Sequence, residues 1–177
     1  KDYDKGKKLG IINCDAHLDL REKEDLGHSG TPFYEIANKV GKENFHYCAI
    51  GIQKIANHKG LYKTAEELDV RIIPLEECTF RNEKDITNRI SEFIKSVDYI
   101  YLTIDLDGFS SAFAPGVSAS SPFGLDPVLV KSLISKITAS QKVISMDVAE
   151  MNARFDIDNS TVKLASGLIM QRILSVS

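Results

Sequence analysis

Three short stretches concentrate groups able to bind a cation or to activate water: Asn13-Cys14-Asp15-Ala16-His17-Leu18-Asp19, Thr103-Ile104-Asp105-Leu106-Asp107 and Ser145-Met146-Asp147-Val148-Ala149-Glu150. Each continues an apolar run. Asp15, His17 and Asp19 alternate, as do Asp105 and Asp107, so in extended chain each set projects from one face. Open parallel sheets bind ligands beyond the carboxyl ends of their strands, where these residues would gather. Four carboxylates and an imidazole placed there repel or protonate unless a cation neutralises them. The donor set is hard and oxygen-dominated, which favours Mn²⁺ over Zn²⁺ and leaves room for two ions sharing carboxylates. The alternative, that the acids are helix caps or solvated loop residues, serves any one of them. It explains two alternating clusters less well.

The elements that would carry these residues follow from hydrophobic spacing. Segments 8–14, 46–51, 70–75, 98–106 and 142–148 are near-continuously apolar, the pattern of strands buried on both faces. Helical spacing runs over 82–97, where Ile86, Ile90, Phe93, Ile94 and Val97 repeat behind an Asn82 cap. Further helices are expected at 32–40, 62–68, 126–138 with Pro127 in the first helical position, and from a Ser160 cap to about residue 176. Strand–helix alternation without repeat or linker predicts a parallel α/β sheet with helices on both faces, in one domain over 1–177. A central position for strand 8–14 would leave one of its neighbours to sequence upstream. The segment 108–125, rich in Ser, Ala, Pro and Gly, is expected to pack along the mouth of the site, with Pro115, Gly116, Pro122 and Gly124 fixing its turns.

Composition narrows the class. With 177 residues, 43% hydrophobic and 27% charged, the chain reads as a soluble domain with a full core, not as a collagen-like, disordered or disulfide scaffold. A net charge of −3 with scattered lysines leaves no electrostatic footprint for nucleic acid. The apolar runs fall far short of the ~18–20 residues of a membrane span, and no signal segment opens the chain, so a cytoplasmic location is expected. Cys14, Cys48 and Cys78 have no CxxC spacing and read as reduced core thiols.

Asp15-Ala16-His17-Leu18-Asp19 resembles the DAHxD motif of the ureohydrolase family, which groups arginases, agmatinases and formimidoylglutamases. Thr103-Ile104-Asp105-Leu106-Asp107, followed by Phe113-Ala114-Pro115-Gly116, resembles its second signature, SxDxDxxDPxxxPG. Phe109-Ser110-Ser111 departs from that signature where an acid is usual. Gly27-His28-Ser29-Gly30-Thr31-Pro32-Phe33 and Ala114-Pro115-Gly116-Val117-Ser118-Ala119 are similar to the formimidoylglutamase branch, and Asp147-Val148-Ala149-Glu150-Met151-Asn152 to the family's DxxExN segment. The resemblance covers practically the whole chain. It implies an arginase-like three-layer αβα fold. The family's GGxHS segment has no counterpart before Asp15, so the chain is expected to be the carboxyl-terminal part of a longer enzyme, with N-terminal strands absent and five of six metal ligands present.

The resemblance further implies a pair of Mn²⁺ ions that acidify a shared water for attack on an amidine carbon. Asp15 and Asp105 would bridge the ions, His17 and Asp107 would complete one, and Asp19 would bind the other. Asp107 would also orient the nucleophile, and Glu150 would pair with the amidinium of the substrate. His28 is the candidate proton shuttle, and Arg21 the candidate partner of a substrate carboxylate. His46 and His58 read as structural or exposed. The substrate would be a small molecule, N-formimidoyl-L-glutamate, and homo-trimers or hexamers are implied. Two rival readings stand. Asp105-Leu106-Asp107-Gly108 also fits the DxDG start of haloacid-dehalogenase-type phosphatases, and the chain alone could be a metal-poor, non-catalytic fragment.

Overall fold

Runs that are apolar on every residue bury both faces of a strand, and a strand followed by an amphipathic helix returns parallel to itself. The computed structural model describes residues 6–22 and 26–176, and among these are five strands: β1 (Leu9–Cys14), β2 (His46–Ile52), β3 (Arg71–Pro74), β4 (Tyr99–Asp105) and β5 (Val143–Ala149). All pairings are parallel, in the order β3-β2-β1-β4-β5. The helices between and after them are α1 (Pro32–Val40), α2 (Lys59–Glu67), α3 (Glu83–Lys95), α4 (Pro127–Ala139) and α5 (Ser160–Leu174).

Two hydrophobic clusters make three layers. Ile11, Tyr47 and Ala49 of the sheet pack with Phe33 and Ala37 of α1 and with Leu61 and Ala65 of α2. On the other face Ile12, Ile50, Leu102 and Ile104 pack with Ile86 and Ile90 of α3, Leu133 and Ile134 of α4, and Leu168 of α5. Cys14, Cys48 and Cys78 are buried, unbridged thiols, and the expectation of reduced core cysteines holds. Among the described residues no helix is long and apolar enough to cross a membrane.

Several expectations change on contact with the structure. β1 is central, but both its neighbours, β2 and β4, come from this chain; the open edges belong to β3 and β5. β5 is not buried on both faces: Ile144, Ser145, Asp147 and Ala149 are exposed. Its exposed flank continues over α5, where Ile169, Met170, Ile173 and Leu174 face outward, with a groove lined by Ile144, Met146, Ile173 and Val176 between them. Helix starts also shift. Asn82 does not cap α3; its side chain donates to Glu77 O instead. Ser160 is the first residue of α5, and the capping carboxylate is Asp156, which accepts from Thr161 N and Val162 N. α2 begins three residues earlier than its apolar spacing suggests, because the His58 ring accepts from Gly60 N.

Candidate functional site

In the parallel register of β1 and β4, Cys14 lies opposite Ile104, so Asp15 and Asp105 reach the carboxyl edge side by side. This is the sheet's switch point: β2 and β3 extend to one side of β1, β4 and β5 to the other. Both chains then turn by the same device. Asp15 Oδ1 accepts from His17 N at 2.7 Å, and Asp105 Oδ1 accepts from Asp107 N at 2.9 Å. Such Asx turns fold the next residues back over the strand end. His17, Asp19 and Asp107 therefore converge through turns, and not through the extended alternation read from their spacing. A Cβ at Gly108 would lie 2.9 Å from Asp15 Cα, so a glycine is what lets the two chain ends approach.

Buried amides hold this edge in place. Asn13 Nδ2 donates to Asp15 Oδ2 at 2.9 Å and to the Tyr47 hydroxyl at 3.1 Å, while Tyr47 donates to Leu18 O. From the connection after β2, Asn57 Oδ1 accepts from Leu18 N, and Asn57 Nδ2 donates to Ala16 O and Gln53 O. Spacing did not single out Asn13, Tyr47 or Asn57 as site residues. The available signal was an amide inside an apolar strand, which must find partners once buried.

Ligand-type atoms of Asp15, His17 and Asp107 lie within 4.8 Å of one another, and so do those of Asp15, Asp19 and Asp105. Asp15 belongs to both groups. The His17 imidazole is pushed up to about 10, first by its hydrogen bond to Asp107 and then by Asp15; Nδ1 stands 3.2 Å from Asp107 Oδ2. Burial pushes the Asp105 carboxyl up to about 10 and that of Asp19 up to about 8, with Asp15 adding repulsion to each. Asp15 is raised as well, by burial first. Carboxylates that cannot all ionise together and supply mostly oxygen donors with one imidazole suit a hard divalent cation such as Mn²⁺.

A pH dependence follows for the metal-free protein. Above pH ~4 the unfolded chain has released carboxyl protons that folded Asp15, Asp19 and Asp105 retain, so stability falls as pH rises toward 8 to 10. His17, raised in the fold, adds stability that is lost as pH rises through about 10, with the same sign. After chelation, the melting temperature should be lower at pH 8.5 than at pH 6 by roughly 5 °C, and 1 mM Mn²⁺ should remove most of that difference. Scanning fluorimetry at the two pH values reads this out. Equal melting points without metal would mean that the acids are well solvated.

A cleft of about 200 Å³ opens from the two groups, lined by His17, Asp19, Asp105 and Asp107 together with Arg21, Ser29, Gly30, Ser118, Ala119 and Glu150. Of the residues singled out by sequence, the structure brings seven to one place: Asp15, His17, Asp19, Arg21, Asp105, Asp107 and Glu150. His28 is not among them. Its Nδ1 accepts from Gly30 N at 3.1 Å, which folds the exposed ring onto its own loop, and it lines a neighbouring cavity with His58 and Lys63. Arg21 lines both spaces. The segment 108–125 packs as anticipated: Phe109, Ala114 and Leu125 are buried, and Ser118 and Ala119 reach the cleft.

The chain is similar in sequence and fold to known proteins. A formimidoylglutamase of Psychrobacter cryohalolentis is 44% identical over 170 residues, covering 95% of this chain and 49% of that protein. The formimidoylglutamase of Bacillus subtilis superposes with a TM-score of 0.87 at 21% identity, over 95% of this chain and 53% of the other. Trypanosoma cruzi formiminoglutamase, solved with Mn²⁺, gives a TM-score of 0.83 at 20% identity, over 95% and 56%. The chain spans about half the length of the curated relatives it matches. The fold is that of the arginases, and the phosphatase reading of Asp105-Leu106-Asp107-Gly108 loses its support. A family profile matches residues 1–175 from end to end, and with the acidic strand ends in register beneath it, the chain belongs to the arginase family.

Proposed function

We propose that the intact protein hydrolyses the C–N bond of a linear amidine, N-formimidoyl-L-glutamate, with water to L-glutamate and formamide, using Mn²⁺. The observation that carries this reading is the pair of donor groups sharing Asp15 at the mouth of a cleft that also holds Glu150 and Arg21. Asp15, His17 and Asp107 would hold one ion and Asp15, Asp19 and Asp105 the other. The chemistry such ions supply when bound is the acidification of water to a nucleophile near neutral pH. Asp107 accepts a hydrogen bond from the attacking water and so orients it. Glu150 pairs with the amidinium, and the Arg21 guanidinium, whose fork matches a carboxylate, takes the glutamate end. Anchoring both ends of the substrate sets its amidine carbon over the acids.

Support for this branch comes from the formimidoylglutamase relatives at 40–44% identity, and support for manganese from the T. cruzi structure. The 177 residues would form part of one catalytic domain, in a cytoplasmic enzyme that assembles as a trimer or hexamer. Its activity belongs to the intact protein; residues 1–177 alone should be nearly inert. The test is formamide release from N-formimidoyl-L-glutamate by the intact, Mn²⁺-loaded protein. Faster urea release from arginine or agmatine would overturn the branch assignment.

A further inference from the structure

Glu150 has a backbone that a glutamate seldom adopts, with φ +62°, just after β5 ends. Left-handed backbone at such a residue persists where the surroundings over-determine it. Here they do. Asn152 N donates to Gly116 O at 2.7 Å, and Gly116 N donates to Thr161 Oγ1 at 2.7 Å, so the segment 108–125 is stapled to the chain leaving β5 and to the first turn of α5. A Cβ at Gly116 would lie 2.7 Å from Asp156 Cβ, so the staple closes only on a glycine. Two residues beyond Gly116 on one strand of this staple stands Ser118; two residues before Asn152 on the other stands Glu150. The Ser118 hydroxyl donates to Glu150 Oε2 at 2.6 Å, and both side chains line the cleft with Asp19, Arg21 and Asp107.

We propose that Ser118 is a positioning residue for amidine hydrolysis: its hydroxyl holds one oxygen of Glu150 and so directs the carboxylate at the amidinium. The inference rests on the function proposed above and adds to it a residue outside the metal-binding groups. A rotatable glutamate can meet an amidinium from several directions, and only one leaves the reacting carbon over the acids. Fixing Oε2 from the staple removes that freedom before substrate arrives. Because Arg21 still binds the far end of the substrate, losing the hydroxyl should affect turnover more than substrate binding.

The test uses the intact, Mn²⁺-loaded protein, with steady-state kinetics on N-formimidoyl-L-glutamate, bound manganese and melting temperature measured for the wild type, Ser118→Ala, Ser118→Thr and Glu150→Ala. Ser118→Ala should lower kcat about tenfold and change KM less than about threefold, with metal content and melting temperature unchanged. Ser118→Thr, which keeps the donor, should return kcat to within about threefold of wild type. Three results overturn the proposal: a Ser118→Ala variant within about twofold of wild type, a loss that follows metal content or melting temperature, or a threonine variant as impaired as the alanine one. A wild type inert toward the amidine, or a fully active Glu150→Ala variant, overturns the reading of the site and this inference with it. An active wild type and an inactive Glu150→Ala variant, together with an unaffected Ser118→Ala, overturn this inference alone.

Discussion

Asp15→Asn in the intact protein should lower amidine hydrolysis by at least ~10³-fold, about 4 kcal/mol in the barrier, and should strip manganese from both positions. Asp15 is the one residue common to both donor groups. Asp19→Asn and His17→Ala each touch a single group, so they should leave about one ion per chain where Asp15→Asn leaves close to none. The asparagine keeps the acceptor for His17 N and so preserves the turn. It also removes a charge that repels Asp19 and Asp105, which offsets the hydrogen bond from Asn13 Nδ2 to Oδ2 that the new amide cannot accept, so the metal-free variant should melt within a few degrees of the metal-free wild type. Kinetics with metal analysis decide the matter. Activity within tenfold of wild type, or two retained ions, would show that Asp15 is not shared.

Glu150→Gln should lower kcat/KM by roughly 10²-fold while bound manganese stays constant. The substitution preserves shape and can still accept a hydrogen bond from Ser118, so the geometry of the cleft survives. What disappears is the negative charge opposite the amidinium, and charge-assisted hydrogen bonds are about twice as strong as neutral ones. Glu150 lies outside both donor groups, which separates this effect from that at Asp15. Manganese loss in step with activity would make Glu150 a ligand and would refute its substrate role.

The sheet and its acids were legible before any coordinates because their signals are local. Five apolar runs, each about as long as a strand, and helices with four-residue apolar repeats leave little freedom, and α1 begins and ends where its spacing places it. Asp15 and Asp105 were paired by the one fact that both follow strands that turn out to be neighbours. What could not be read depends on groups distant in sequence. Asn13 matters because Tyr47 meets it from the neighbouring strand β2, and Asn57 because the turn after β1 passes above it. Helix caps failed for the same reason: Asp156 reaches forward to α5 from a bend, whereas Ser160 only looks like a cap in a linear string. His28 shows the same limit: its Nδ1 accepts from Gly30 N, a local bond that the glycine-rich string does not announce.

The outer rim of β5 has a further consequence. Val143 to Ala149 offer a rung of backbone donors and acceptors with one charge, Asp147, to deter a stray strand, and the oily side of α5 runs alongside. While it is being made, such a ribbon invites stacking into inclusion bodies, so its shielding by a chaperone or by a companion stretch of polypeptide becomes a condition for yield.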